Sequence, residues 1–379
     1  MTETTRPTEC NAATVYLAFE LGSSKWTLAF GLGVGQHPRI RTIVAGDLEG
    51  VRREIARACD RFGVPRTTPV RSCYEAGRDA FWLHRWLVAQ GLANVVVDSS
   101  SIEVNRRHRR AKTDRLDAGR LLVLLRRWAG GERQVWSVVH VPTVEAEAAR
   151  QVTRELATVR ADRARVRNRI QGLLATQGIR CALTRRFPDR LATLRTGDGQ
   201  ALAVAWQARL AREWAQLETI ETRLTALRTE RDATIQAGTD RVAHVARQLC
   251  GLRGVAEASA ALYSAELFAT RTFQNGRQLG ALTGLVPVPY RSDQRVADQG
   301  ISKAGRSELR RVSIQLAWGW LRWQPDSALA GWFQRRFGAA GGRSRRIGIV
   351  AVARKLVIAL WRFVDQGLIP EGARLKPTA

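Results

Sequence analysis

The segment from Arg106 to Arg120, RRHRRAKTDRLDAGR, combines two carboxylates with a dense group of basic side chains. Asp114 and Asp117 are three residues apart at the start of an apolar run that predicts a helix, so their side chains would share one face. Two acids beside several cations suit a site that holds a divalent metal against a phosphodiester. The basic residues of the segment, predicted to contact nucleic acid, are Arg106, Arg107, Arg109, Arg110 and Lys112.

The same Asp-x-x-Asp pattern also has a purely structural explanation. An aspartate before a Leu-rich run is an ordinary helix N-cap, and the positive end of the helix dipole favours a second acid three residues later. The choice between the two explanations depends on whether the chain upstream supplies further acids where a metal site needs them.

The first hundred residues predict the elements that would position such acids. Strands are expected at 14–20, 25–33, 38–45, 69–75 and 94–98, with helices at 48–62 and 79–90 and a third helix starting near Asp114. This order is that of the ribonuclease H-like fold, in which three antiparallel strands are followed by crossovers that extend the sheet in parallel.

That topology gives the acids a common location. The first and fourth strands are neighbours in such a sheet, and Glu20 and Glu75 end these two strands. The last helix packs across them, so Glu20, Glu75, Asp114 and Asp117 can converge on one point. We therefore favour a catalytic site in which these four acids hold Mg²⁺ or Mn²⁺.

A second candidate for chemistry is Ser292, which is predicted to lie in a loop. Nearby cations could neutralise the charge of a phosphorus that this serine attacks. No histidine is close to Ser292 in the sequence, so its base must come from elsewhere in the fold. Ser302 is the competing serine, and a helix N-cap is its expected role. The cations, also predicted to contact nucleic acid, are Arg291, Arg295, Lys303, Arg306 and Arg310.

Between these regions, residues 145–235 lack strand signals and predict an antiparallel helical hairpin. One apolar seam has the 3-4 spacing of a coiled coil, with Arg163 in a core position. The segment is interpreted either as a spacer or as a dimerisation element. The first seam comprises Leu156, Val159, Val166, Ile170 and Leu173, and the second comprises Leu210, Trp214, Leu217, Ile220, Leu224 and Leu227.

The chain has 379 residues, and its 61 Lys and Arg against 34 Asp and Glu give a formal net charge of +27. An excess spread over the whole length indicates a polyanionic partner, most commonly nucleic acid. The best apolar run, residues 347–360, is interrupted by Arg354 and Lys355, so no membrane span is expected. No signal peptide is predicted, and the five scattered cysteines form no C-x-x-C pair. A cytoplasmic protein is therefore expected.

Several runs of sequence resemble one family. The segments FELGSSKW, CYEAGRDAFWLHRWL, SIEVNRRHRRAKTDRLDA and GLVPVPYRSDQRVADQGISKAGRSELRR are similar to the DEDD transposases of bacterial insertion sequences, insertion-sequence family 110. The resemblance implies a RuvC-like domain joined to a C-terminal domain with a nucleophilic serine. It also implies a structured non-coding bridge RNA that chooses donor and target DNA.

The resemblance assigns individual residues as well. By motif, the four acids are Glu20, Glu75, Asp114 and Asp117, and the serine is Ser292. The chain departs from the family pattern at two positions: Glu20 stands where Asp is more usual, and Asp293 stands where Gly is usual. A glutamate can still ligate a metal through its longer side chain.

These inferences predict an α/β plus α protein in three parts. A ribonuclease H-like (RuvC-like) DEDD catalytic domain spans 14–140, a helical coiled-coil segment spans 145–240, and a mainly helical serine transposase domain spans 241–367. The expected function is DNA recombination through a serine–phosphate intermediate. The expected partners are donor DNA, target DNA and a bridge RNA, and the bacterial protein is expected to form a homodimer or homotetramer. Two alternatives stay open: a RuvC-like, metal-dependent junction-resolving nuclease without a covalent intermediate, and a non-catalytic nucleic-acid-binding protein.

Overall fold

The fold is that of a computed structural model, which describes residues 13–33, 37–77, 80–103, 113–292 and 295–377. The chain divides into two compact units, with the boundary between Val141 and Pro142. The second unit contains both the central and the C-terminal segments. The predicted three-part division therefore stays a prediction.

The first unit is a mixed α/β structure built on a five-stranded sheet. Its strands are β1 (Val15–Leu21), β2 (Lys25–Gly31), β3 (Arg39–Val44), β4 (Val70–Glu75) and β5 (Ala93–Val97), and its helices are α1 (Leu48–Phe62), α2 (Ala80–Ala89) and α3 (Asp114–Ala129). The strand order is β3-β2-β1-β4-β5. The strands β1, β2 and β3 are antiparallel, whereas β4 and β5 extend the sheet in parallel from β1. The predicted order of elements and the pairing of the first strand with the fourth are confirmed.

Alternate residues of β1 face two different cores, as the period of a strand requires. Leu17 and Phe19 belong to one buried cluster, together with apolar residues of α1 and α2. Ala18 belongs to the other, where α3 covers the sheet. Ala29 and Cys73 are its neighbours there, and all three are fully buried. Small side chains on this face let α3 approach the sheet closely.

The second unit is mainly helical. In chain order its helices are α4 (Val144–Ala148), α5 (Gln151–Thr176), α6 (Phe187–Arg190), α7 (Val204–Ala237), α8 (Arg241–Cys250), α9 (Glu257–Tyr263), α10 (Gly276–Thr283), α11 (Ser307–Trp323), α12 (Ala328–Phe337) and α13 (Gly342–Gln366). Its described strands are β6 (Pro287–Ser292) and β7 (Arg295–Ile301), which form an antiparallel hairpin. A turn of π-helix, Ser264–Phe268, follows α9.

The predicted helical hairpin is confirmed, since α5 and α7 pack along each other. The buried residues of α5 include Leu156, Val159, Val166 and Ile170, and those of α7 include Leu210, Trp214, Leu217, Leu224 and Leu227. Arg163 is half-buried at the rim of this seam, where its guanidinium lies 3.6 Å from the carboxylate of Glu221. Within the described part of the chain, no helix is both long enough and apolar enough to cross a membrane.

Candidate active site

Glu20 and Glu75 lie side by side on neighbouring strands. The parallel register of β1 and β4 pairs Phe19 with Tyr74, and the two glutamates are the next residues on each strand. By alternation they face the side of the sheet occupied by Ala18 and Cys73, which is the side covered by α3. Both glutamates line one cavity of about 290 Å³. The structure thus brings these two predicted site residues together.

The helix α3 runs antiparallel to β1. Arg126, near the end of α3, lies so close to Gly31 that a Cβ atom at Gly31 would overlap the Arg126 guanidinium. Gly31 in turn pairs with Tyr16 at the start of β1. The beginning of α3, which carries Asp114 and Asp117, therefore points toward the end of the sheet where β1 and β4 finish.

One contact sets the level of α3 along β4. The Sγ atom of Cys73 lies 3.9 Å from the carbonyl oxygen of Leu121. Asp117 precedes Leu121 by four residues, about 6 Å along a helix. Glu75 follows Cys73 by two residues, about 6.6 Å along a strand. Asp117 is thus at about the same level as Glu75, and Asp114 is one turn farther out.

The four acids do not all assemble into one cluster. In the described ranges, no three side chains of the His, Cys, Asp or Glu type come close enough together to hold a metal ion. The donor set nevertheless fits Mg²⁺ or Mn²⁺, because a hard divalent cation in such enzymes is often held by one or two carboxylates, with phosphate oxygens and waters as its other ligands. Glu20 and Glu75 can supply that pair, and Asp117 and Asp114 are the next carboxylates on the same side.

The capping explanation for Asp114 is wrong. The N-cap of α3 is Thr113, whose Oγ1 accepts a hydrogen bond of 3.3 Å from the N–H of Leu116. Asp114 is the first residue inside the helix, because the threonine before it already provides the capping oxygen. Both aspartates do lie in the first turn, where the helix dipole favours negative charge.

The predicted basic cluster that precedes α3 lies outside the described residues. It comprises Arg106, Arg107, Arg109, Arg110 and Lys112. Its role in binding nucleic acid stays a prediction.

Ser292 is not in a loop, contrary to the sequence prediction. It is the last residue of β6, and its backbone pairs with Arg295, the first residue of β7. Pro287 and Pro289 weaken the strand signal, but each strand of a two-stranded hairpin has an edge without a partner strand, which tolerates proline. The register also shifts between these two prolines. Ser292, Arg291 and Arg295 therefore share one end of the hairpin.

Ser302 is not a helix N-cap, which also corrects the sequence prediction. It directly follows β7, and its N–H donates to the carbonyl of Val286 at 2.8 Å. The helix α11 begins only at Ser307, with Arg306 at the N-cap position. The prediction placed the helix start too early, because glycine and lysine separate Ser302 from the apolar run of α11.

The segment between β7 and α11 is fixed against the end of α10. A Cβ on Gly305 would overlap the carbonyl of Leu282, and Lys303 has a left-handed φ of 55° that is uncommon for a non-glycine residue. Arg310 donates from Nη1 to the carbonyl of Ala304 at 3.4 Å. Of the predicted phosphate-binding cations, Lys303 thus belongs to this constrained backbone, and Arg310 contacts it from α11.

Sequence reasoning missed a buried charge cluster centred on Glu266, in the π-helical turn. The carboxylate is 2% exposed and lies 3.0 Å from Arg154 and 3.8 Å from the equally buried Arg150. Arg306 forms a third ion pair with it and also contacts Glu308 at 3.2 Å. The signal available in the sequence was a lone acid in an apolar run, LYSAELF.

The electrostatics of Glu266 explain why it remains charged. Burial alone raises the pKa of this carboxyl group, but hydrogen bonds and positive charge from Arg154 and Arg306 outweigh burial, so the pKa is lowered. Arg306, predicted to contact nucleic acid, therefore has a structural role here. It ties the start of α11 to the π-helical turn and to α5.

Comparisons with known proteins find one matching family and several related sequences. Residues 246–330 match a family described as "Transposase IS116/IS110/IS902 family". The protein named "Putative transposase y4rJ" from Sinorhizobium fredii is 39% identical over 378 residues, covering 96% of this chain and 94% of that protein. The "Transposase for insertion sequence element IS1328" from Yersinia enterocolitica is 30% identical over 126 residues, covering 33% of this chain and 37% of that protein. The chain therefore belongs to the IS116/IS110/IS902 family of transposases.

Proposed function

We propose that this transposase cleaves and rejoins DNA through a serine–phosphate intermediate. Ser292 is the nucleophile, and Glu20, Glu75, Asp114 and Asp117 hold Mg²⁺ or Mn²⁺ in a ribonuclease H-like, RuvC-like domain. The observation that carries this proposal is the adjacent pair Glu20 and Glu75 at the ends of β1 and β4, on the side of the sheet toward which α3 presents its two aspartates.

The two pairs of acids have different tasks. Glu20 and Glu75 supply oxygen ligands from rigid strand ends, so little ordering is needed when the metal binds. Asp117 and Asp114 lie on a helix face that can add a ligand or orient a bound water. When bound, the metal supplies positive charge at the phosphodiester and lowers the pKa of water.

The serine step conserves the number of P–O bonds. The Oγ atom of Ser292 forms a bond to phosphorus, the bond from phosphorus to a sugar oxygen breaks, and the serine proton passes to a base. The leaving sugar oxygen takes up a proton. Attack by the sugar oxygen of another strand reverses these changes, so joining needs no ATP. Lys303, on the constrained segment after β7, and Arg310, in the first turns of α11, would offset the charge on phosphorus.

The partners follow from charge and from family resemblance. A net charge of +27 supports binding to long polyanions, namely donor and target DNA together with a bridge RNA. A homo-oligomer, either a dimer or a tetramer, completes the proposal. The hairpin in which α5 and α7 pack along each other is the element that we assign to contact with a second copy.

The proposal is tested with a suicide DNA substrate, a denaturing gel and peptide mapping. Wild-type protein should form an adduct that survives denaturation, with DNA on the peptide that contains Ser292. Ser292→Ala should bind DNA but form no adduct, whereas the control Ser302→Ala should form it. Cleavage by Ser292→Ala at the wild-type rate without any adduct would establish the nuclease alternative and overturn the proposal. Absence of metal-dependent cleavage in the wild type would favour a non-catalytic binding protein.

A further inference from the structure

Two adjoining cavities lie between α5, α7, α9 and α11 in the second unit. The smaller, of about 200 Å³, is lined by residues of all four helices. The larger, of about 720 Å³, lies between α5 and the first turns of α11. Arg160, Glu308 and Arg311 line both cavities, so the two spaces form one site, which we call the α5–α11 pocket.

The pocket has an excess of positive charge. Its arginines are Arg160, Arg231, Arg310 and Arg311, and among its described lining residues Glu308 is the one acid. Glu308 is already 3.2 Å from Arg306, which is not a lining residue. Glu308 also lies 4.0 Å from Arg311 inside the pocket, so its single negative charge is shared between a lining cation and a cation outside.

Arg160 carries much of this unneutralised charge. Across the described residues, no carboxylate comes within 4.0 Å of its guanidinium. Arg231 has Asp232 at 2.7 Å, and Arg311 has the amide of Gln315 at 3.0 Å and the carboxylate of Glu308 at 4.0 Å. Burial lowers the pKa of Arg160. The nearby charges of Arg228, Arg231 and Arg311 lower this pKa further and outweigh Glu308, which acts to raise it. Crowded cations of this kind oppose folding, and an anion from outside would relieve the repulsion.

The chemistry of the pocket selects the anion. An arginine presents a planar fork of N–H donors that matches two phosphate oxygens, and several arginines around one space are typical of phosphate recognition. The first turn of α11 also faces the larger cavity through Ser307, and no side chain caps this end of the helix. Its N–H groups add further donors.

We propose that the α5–α11 pocket binds a backbone phosphate of a nucleic-acid strand, with Arg160 and Arg311 as the direct ligands. Arg231 supports them from α7. This contact is independent of Ser292 and of the four acids, and it rests on the proposed function only in taking nucleic acid as the ligand. A phosphate bound there would connect the α5–α7 hairpin and α11 to the same nucleic-acid strand.

The test uses the full chain with Arg160→Gln and Arg311→Gln combined. Fluorescence anisotropy with a DNA duplex, and separately with a structured RNA, gives the affinity over a series of NaCl concentrations. One lost phosphate contact should reduce the slope of log K against log salt by about 0.7–0.9 and weaken binding by roughly tenfold at moderate salt, for at least one of the two nucleic acids. The control, Arg209→Gln with Arg212→Gln, removes the same charge from exposed positions of α7 outside the pocket. Equal loss in both double variants would overturn the proposal.

Two further measurements separate binding from folding and from a free anion. Thermal unfolding of Arg160→Gln alone should occur at or above the wild-type temperature, since the substitution removes a crowded charge. A clear fall in that temperature, with binding reduced only in proportion to unfolding, would assign Arg160 a structural role instead. A third outcome concerns free phosphate. Inorganic phosphate could raise the unfolding temperature of the wild type but not of Arg160→Gln, with the salt slope for nucleic acid unchanged in the double variant. The pocket would then bind free phosphate, and the proposal would fail.

Discussion

The thiol of Cys73 in β4 lies against the carbonyl of Leu121 in α3, with 3.9 Å between sulfur and oxygen. This contact fixes the position of the helix on the sheet, because both residues are fully or almost fully buried. Asp117 is one helical turn before Leu121, and Glu75 is one strand repeat after Cys73. The close packing at Cys73 is therefore what brings carboxylates from two elements to the same end of the sheet.

Ala118 should be sensitive to enlargement, because it is fully buried against the sheet immediately after Asp117. Ala118→Leu adds three carbons to a filled space, which should cost about 1–3 kcal/mol of stability. It should also reduce DNA cleavage by displacing the start of α3. The control is Val123→Leu on the same helix, at a side chain that is 52% exposed. Denaturant unfolding and cleavage rates measure both effects, and unchanged cleavage by Ala118→Leu would contradict the placement of α3.

Cysteine reactivity should report the same packing without a cleavage assay. Cys59 and Cys73 are buried, and burial raises the pKa of both thiols. Cys250 is partly buried, and burial raises its pKa to about 11. Among these three cysteines and Cys181, the four that the structure describes, we therefore expect iodoacetamide at neutral pH to modify Cys181 first, Cys250 more slowly, and the two buried thiols only on unfolding. Mass-spectrometric peptide mapping gives the order, and Ala118→Leu should expose Cys73 earlier. Rapid modification of Cys73 in the native wild type would show that α3 does not cover it.

Glu266 should be a major determinant of stability in the second unit. Glu266→Gln leaves the buried guanidinium of Arg150 without its carboxylate, and breaking a buried ion pair in this way costs about 3–5 kcal/mol. The control, Glu230→Gln at an exposed position of α7, should stay within about 0.5 kcal/mol. Denaturant unfolding of the two variants measures the difference.

The contribution of Glu266 should also depend on pH. Its folded pKa is below the ordinary value of 4.5, so the stabilisation is fully present above 4.5 and is lost as the pH falls through the folded pKa. The difference in unfolding free energy between wild type and Glu266→Gln should thus be constant from about pH 6 to about pH 7. It should shrink below about pH 4.5. A difference that grows on acidification would mean that the carboxylate is not held in its charged form.

The sequence predicted the sheet well because its signals are local. Short runs of β-forming residues bounded by turn residues identify the strands, and the order of elements leaves few ways to connect them. Once β1 and β4 are neighbours, Glu20 and Glu75 must lie close together. The helical hairpin was predictable for a similar reason, since its apolar seams repeat at helical spacing.

What the sequence did not reveal depends on contacts between distant segments. Arg150 and Arg154 meet Glu266 more than a hundred residues later in the chain, and no periodic pattern marks such a pair. The cap of α3 was misassigned because Thr113 and Asp114 are both good capping residues, and only the backbone geometry distinguishes them. Ser292 was assigned to a loop because proline is rare in strands, although a two-stranded hairpin permits it.

The central claim is that the acids at the ends of β1, β4 and the start of α3 form the metal-dependent cleavage site. The most direct measurement compares Mg²⁺- and Mn²⁺-dependent strand cleavage by Glu75→Gln and Asp117→Asn with that of Glu132→Gln, whose carboxylate pairs with Arg127 beyond the other end of α3. The first two variants should lose at least about a hundredfold in cleavage rate, because they remove metal ligands. They should bind DNA within roughly twofold of wild type, since basic side chains supply the affinity. Glu132→Gln should cut normally. Cleavage by Asp117→Asn and Glu75→Gln at the wild-type rate in Mg²⁺ would contradict the claim.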